Sequence, residues 1–173
     1  MTYAIDKNRP SAEWIADLRQ RFPCEPEVDR VLAFKLRRRA GPGYSPVPLE
    51  TLVEGTRKLI AANIGDDFTI SDASWLSGGA SKLQMFFNLT WSAPGEGRIK
   101  TRMVLRMEPA ESISETSRLA EFHAIKLLEG YIPVPPTYWV DGEGQFLPYP
   151  AIIYGFAEGV AKSTRSTSNV TGV

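Results

Sequence analysis

Apolar residues recur at helical spacing up to about residue 65 and alternate, one in two, from Asp67 onward. Ser11 is suited to cap a helix whose face carries Trp14, Ile15, Leu18 and Phe22. Pro26 suits the first position of a second helix, with Val28, Val31, Leu32 and Leu36 on one side. Gly41-Pro-Gly-Tyr-Ser-Pro-Val-Pro48 then breaks the chain. A third amphipathic stretch holds Leu49, Leu52, Val53, Leu59 and Ile60, and Gly65 can close it with a left-handed cap.

Beyond Asp67 the alternation predicts strands. Phe68-Thr-Ile-Ser71 gives the first, residues 82–91 the second and residues 99–107 the third. In the second, Leu83, Met85, Phe87, Leu89 and Trp91 share a face. In the third, Ile99, Thr101, Met103, Leu105 and Met107 point one way, and Arg102, Val104 and Arg106 the other. Gly78, Gly79, Ala80 and Ser81 form a turn joining the first two strands as a hairpin, and residues 92–97 join the second to the third. A helix is expected over 114–128, ended by Gly130, then a short strand at 137–140, a hairpin turn at Asp141-Gly-Glu-Gly144 and an apolar strand over 150–156. Residues 161–173 lack core-forming side chains and read as a linker. No internal repeat is visible. The order predicts an α+β fold: a five-stranded, mainly antiparallel sheet with one inserted helix, preceded by a helical extension. The divisions are 1–65 for that extension, 66–160 for the sheet-bearing unit and 161–173 for the tail.

Composition narrows the function classes. Twenty basic residues balance twenty acidic ones, which gives no global attraction to nucleic acid or to an anionic membrane. The local basic run Lys35-Leu-Arg-Arg-Arg39 reads as a solvated helix end whose cations sit near the negative pole of the helix dipole. A single cysteine, Cys24, excludes an internal disulfide and a cysteine-based zinc site. No apolar run reaches membrane-spanning length and no signal peptide opens the chain, so a cytoplasmic location is expected. His123 reads as a packing or surface histidine, and the four tryptophans as core or edge aromatics.

The segments Leu76-Ser-Gly-Gly-Ala-Ser81, Val104-Leu-Arg106, Ala120-Glu-Phe-His-Ala-Ile-Lys-Leu-Leu128, Ile132-Pro-Val-Pro135 and Ala151-Ile-Ile-Tyr-Gly-Phe-Ala-Glu-Gly159 occur in a telling order. Together they resemble the amino-terminal lobe of the aminoglycoside phosphotransferase family, which has the protein-kinase-like fold. The likeness covers roughly half the chain, from about Phe68 to Val160. It implies a nucleotide-binding lobe in which Gly78, Gly79 and Ser81 cover the phosphates and Arg106 grips them. Arginine stands where the family usually has lysine; its planar fork suits phosphate and stays charged. By the same resemblance Glu121 orients Arg106, Val104 roofs the adenine, and backbone groups of Gly155 and Ala157 meet its edge. Each has a plainer reading: an exposed strand arginine like Arg102, a solvated helix carboxylate, a core valine.

The resemblance further implies ATP and Mg²⁺ as cofactors and a small-molecule hydroxyl as phosphoryl acceptor. The catalytic aspartate and the metal ligands of such enzymes have no counterpart in this sequence. His123 is followed by Ala124 and Ile125, and the sole later aspartate is Asp141. The chain is therefore expected to be a lobe truncated before the catalytic one and inactive alone. The alternative is a non-catalytic binding or oligomerisation module on the same scaffold, for which self-association of the isolated lobe is expected.

Overall fold

The computed structural model describes residue 6 and residues 9–39, 47–76, 82–109 and 116–158. Three helices come first: α1 (Ala12–Arg21), α2 (Pro26–Arg38) and α3 (Leu49–Ile64). Strands β1 (Phe68–Trp75), β2 (Leu83–Ala93) and β3 (Gly97–Met107) follow, then α4 (Arg118–Leu128), β4 (Thr137–Asp141) and β5 (Ala151–Gly155). The strands make one antiparallel sheet in the order β1-β2-β3-β5-β4. The fold is thus α+β, with a helix inserted between the third and fourth strands.

Local chemistry sets most boundaries. The Ser11 hydroxyl accepts from the N–H of Trp14 at 3.2 Å, and Pro26 opens α2 where a missing N–H costs nothing. Gly65 closes α3 at φ +77° and ψ −168°, an extended glycine conformation instead of the expected left-handed cap. The first strand runs four residues beyond Ser71 because a bulge at Asp72, itself at φ +57°, restores pairing through Ser74 and Trp75. The fourth helix starts at Arg118, later than expected, because Ser117 takes the N-cap and accepts from Ala120 N–H.

Alternation divides the sheet into two unlike faces. Met85, Phe87, Leu89 and Trp91 of β2 and Met103, Leu105 and Met107 of β3 are buried on one of them, with Ile153 and Trp139. Against this face α3 lays Leu52, Leu59 and Ile60, so the third helix and the sheet share one core. Each such side chain contributes roughly 1.5–3 kcal/mol by leaving water. Gly55 lets α3 approach closely: a Cβ there would lie 2.7 Å from the carbonyl oxygen of Phe146 and 2.8 Å from Leu147 Cδ2. The other face carries Gln84 and Phe86, Val104 and Arg106, and Tyr154, and looks towards α4.

Two expectations are corrected. Asp141-Gly-Glu-Gly144 is not a tight hairpin turn; it begins a connection running to Pro150. Asp141 is buried, and its carboxylate accepts the N–H groups of Gln145, Phe146 and Leu147 at 2.8–3.0 Å, which organises that loop from within. Lys35 is not part of a solvated helix end. Its side chain is 8% exposed and points inward to Glu108, while Arg38 lies over the ring of Phe34.

Glu129 ties the end of α4 to the start of β4. It accepts from Thr137 N–H at 2.7 Å and Thr137 Oγ1 at 2.6 Å, which holds its carboxyl down at about 2 against the ordinary 4.5. This stabilisation is complete above pH 4.5 and drains away as pH falls towards 2. Urea unfolding should therefore find Glu129→Gln less stable than wild type at pH 6, with the gap closing below pH 4.5. Gly55→Ala should lower the unfolding midpoint, because steric displacement of a backbone carbonyl, roughly 1–3 kcal/mol, exceeds the ~1 kcal/mol gained in helix propensity.

Candidate functional site

The polar face of the sheet is arranged in cross-strand rows. Pairing places Gln84 beside Arg106 and Arg106 beside Ile152; the next row is Phe86, Val104 and Tyr154. Neighbours in such a row stand about 5 Å apart, so their side chains form one continuous surface. With α4 above it, this surface becomes one wall of a cleft of ≈450 Å³. Five of the residues expected to act together, Val104, Arg106, Glu121, Gly155 and Ala157, line it, with Leu76, Gln84, Ile125, Pro135, Tyr154 and Phe156. Gly78, Gly79 and Ser81 lie outside the described residues. On either side of that segment, Leu76 N–H donates to the Gln84 carbonyl at 3.0 Å.

Arg106 and Glu121 meet directly. Arg106 Nη1 donates to Glu121 Oε1 at 2.7 Å, and Tyr154 donates to the same oxygen at 2.8 Å. Burial first, and then the Glu121 hydrogen bond, push the Tyr154 phenol well above its usual range, so it stays a donor at any working pH. Arg106 is 35% exposed and its Nε is buried without a partner among the described residues. The guanidinium is thus aimed by Glu121 and keeps donor capacity for a ligand. Arg102, four residues earlier on the same face, is more exposed and occupied elsewhere. It stacks on Phe156 at 4.1 Å and pairs with Glu158 at 2.6 Å, holding the chain segment that leaves β5.

That segment has its own constraints. Gly155 N–H donates to the Pro136 carbonyl at 2.7 Å and Phe156 N–H to the Arg102 carbonyl at 2.9 Å. A Cβ on Gly155 would lie 3.3 Å from Pro136 Cδ, so close packing against Pro136 also explains glycine here. Of the two residues whose backbone is expected to face a base, Gly155 has its N–H committed to Pro136, and both Gly155 and Ala157 line the cleft.

Behind the cleft stands a group of ions that the sequence did not announce. Glu108, just past β3, is 1% exposed. Its Oε1 lies 3.0 Å from Lys35 Nζ and 2.7 Å from Lys82 Nζ, and its Oε2 lies 3.0 Å from Arg118 Nη2 and accepts from Thr116 at 2.9 Å. Arg118, also 1% exposed, turns its Nη1 to Glu121 Oε2 at 2.7 Å, close enough to pair though outside hydrogen-bond angles. Burial pushes the Lys82 ammonium down, Glu108 opposes this, and Arg118 and Lys35 add to the fall. A chain of charge therefore runs from Glu108 through Arg118 and Glu121 to Arg106. Lys82 was overlooked because it abuts the glycine turn, and Glu108 and Arg118 because nothing in their local sequence marks a buried ion.

No helix among the described residues is long and apolar enough to cross a membrane. His123 is exposed on α4 and touches only the ring of Phe122 among the described aromatic contacts. No protein-family model matches the chain, and no curated protein matches its sequence with significance.

The ion group generates a prediction. Glu108→Gln leaves three cations without their shared carboxylate and should cost about 3–5 kcal/mol, the range for breaking a buried pair from one side. Lys82→Met, which leaves Glu108 with Lys35 and Arg118, should cost clearly less. Urea midpoints of the two variants at pH 7 check the order.

Proposed function

We propose that the cleft binds a nucleoside triphosphate, and that the chain is the nucleotide-gripping lobe of an ATP-dependent phosphotransferase acting on a small-molecule hydroxyl. The observation that carries this reading is the Arg106–Glu121 pair at 2.7 Å inside a cleft of ≈450 Å³. The volume falls within the roughly 300–1,000 Å³ usual for small-ligand sites. Its walls fit the two ends of a nucleotide. Val104, Ile125, Leu76, Pro135 and the Tyr154 ring offer apolar area to a flat heterocycle, and Arg106 offers a fixed cation to the anionic end. A base lodged against Val104 would find the Gly155 carbonyl and the Ala157 N–H at its edge.

The layout supports the kinase-like reading in a coarser way: five antiparallel strands, a helix between the third and fourth, and a strand leading out of the sheet beside β3. Within that reading the residues of this chain position and neutralise; they transfer no proton. Glu121 holds Arg106 against rotation, Tyr154 and Arg118 hold Glu121, and the hairpin bearing Gly78, Gly79 and Ser81 covers the phosphates. ATP with Mg²⁺, when bound, supplies the phosphoryl group. No metal ligand is assigned to this chain.

A second reading, a binding or oligomerisation module, draws on one observation. At and beyond the end of α4, Leu127, Leu128, Tyr131 and Ile132 expose apolar surface, Tyr131 and Leu127 at 85% and 76%. Sedimentation of the chain without nucleotide separates the two: a concentration-dependent dimer that binds no ATP favours the module.

Calorimetric titration of the chain with ATP and Mg²⁺ should give saturable binding. Arg106→Ala should weaken it tenfold or more, about 1.4 kcal/mol per decade. An affinity unchanged by that substitution removes Arg106 from the site, and no binding by the wild-type chain removes the function.

A further inference from the structure

Among the described residues of α4, Arg118 is the buried one. The helix has 11 residues, shorter than the ~12–15 at which an isolated helix begins to hold itself together in water. Leu119, Leu127 and Leu128 along it are exposed. Apolar burial is therefore a minor part of what fixes α4 against the sheet, and its polar anchors must do most of that. Glu129 fastens its end to Thr137. Its beginning is fastened by something else: helix α2.

Two contacts make the connection. Glu27, in the first turn of α2, accepts a short hydrogen bond from the hydroxyl of Ser117, the residue that caps α4. Arg30 grips Glu27 at 2.7 Å and also reaches Glu143. Two turns along α2, Lys35 enters the Glu108 site, where it shares the carboxylate with Arg118 of α4 and with Lys82, which immediately precedes β2. Hydrogen bonds from Arg30 and Ser117 hold the Glu27 carboxyl down at about 2, so it is charged at neutral pH. A small void of ≈10 Å³ lies where Arg30, Val31 and Lys35 of α2 meet Thr116 and Arg118.

We infer that α2 is a positioning element for the cleft: through Glu27 on Ser117 and Lys35 on Glu108 it sets the seat of α4, and so the alignment of Glu121 on Arg106. The seat of α4 is a property of the chain alone; its effect on ligand affinity rests on the nucleotide reading above. The physical basis is that a carboxylate 21% exposed can hold an arginine only if its own helix is fixed, and the fixing bonds come from α2, 90 residues before Ser117 and 73 before Glu108.

The test uses the full chain without nucleotide and follows amide hydrogen exchange. Glu27→Gln combined with Lys35→Met leaves Glu108 paired with Lys82 and Arg118, so no buried charge is abandoned. Exchange across residues 118–125 should quicken about tenfold or more, with β2 and β3 changed by less than about twofold. Lys35→Arg, which keeps the charge, should restore much of the α4 protection when paired with native Glu27. Equal acceleration in the sheet, or none in α4, overturns the inference. Should the double variant fail to fold, Glu27→Gln alone reads the same segment, and an unchanged α4 there overturns it too. A second arm measures ATP affinity, which should fall in step with α4 protection. Loosened α4 with unchanged affinity refutes the link to the cleft; absence of binding by wild type refutes the nucleotide reading and leaves the exchange result to decide the role of α2.

Discussion

The Glu108 carboxylate, buried with lysines from two elements and an arginine from a third, is the interaction on which the rest of the cleft depends. Removing a carboxylate from water costs several kcal/mol, and only near-complete pairing offsets it. Here both oxygens are engaged: Lys35 and Lys82 on one, Arg118 and Thr116 on the other. Such a site has little tolerance, because each partner satisfies a charge that would otherwise be stranded. Its demand for satisfaction is what brings α2, the start of β2 and the start of α4 to the same point.

The two faces of the sheet divide the labour. Met85, Phe87, Leu89, Met103 and Leu105 join Leu52 and Ile60 of α3 in a core where any apolar side chain of the right volume would serve. The opposite face trades apolar burial for oriented charge. Phe86, Val104 and Tyr154 give it area, while Arg106, Glu121 and Arg118 form a bonded series that ends in the cleft. Stability thus comes mainly from one side of the sheet, and whatever the molecule recognises is met on the other. Arg102 shows how one substituent position can be diverted: its stacking on Phe156 secures the exit of β5 and leaves Arg106 as the cation in the cleft.

Much of this was legible in advance where the cause is local. Alternation in residues 83–91 and 99–107 marked both strands and the facing of each residue, because a pleat has a fixed period. Ser11 and Pro26 marked helix starts because their chemistry acts within one turn. The approach of Arg106 to Glu121 was expected from a family resemblance, and the two side chains do meet. The misplacements share a cause. Lys35 was read as a solvated cation since its neighbours are arginines; its partner lies 73 residues away. Asp141 was read as a turn residue since glycines surround it; its carboxylate is buried by the loop it organises.

What the sequence by itself determined is the succession of elements and the two-sidedness of each, since periodicity, capping and glycine geometry are settled within a few residues of chain. What only the tertiary structure decided is which charges leave water. That depends on whether partners from distant segments arrive together: Lys35, Lys82 and Arg118 are ordinary surface residues by composition, and become buried ones because Glu108 stands where all three can reach it.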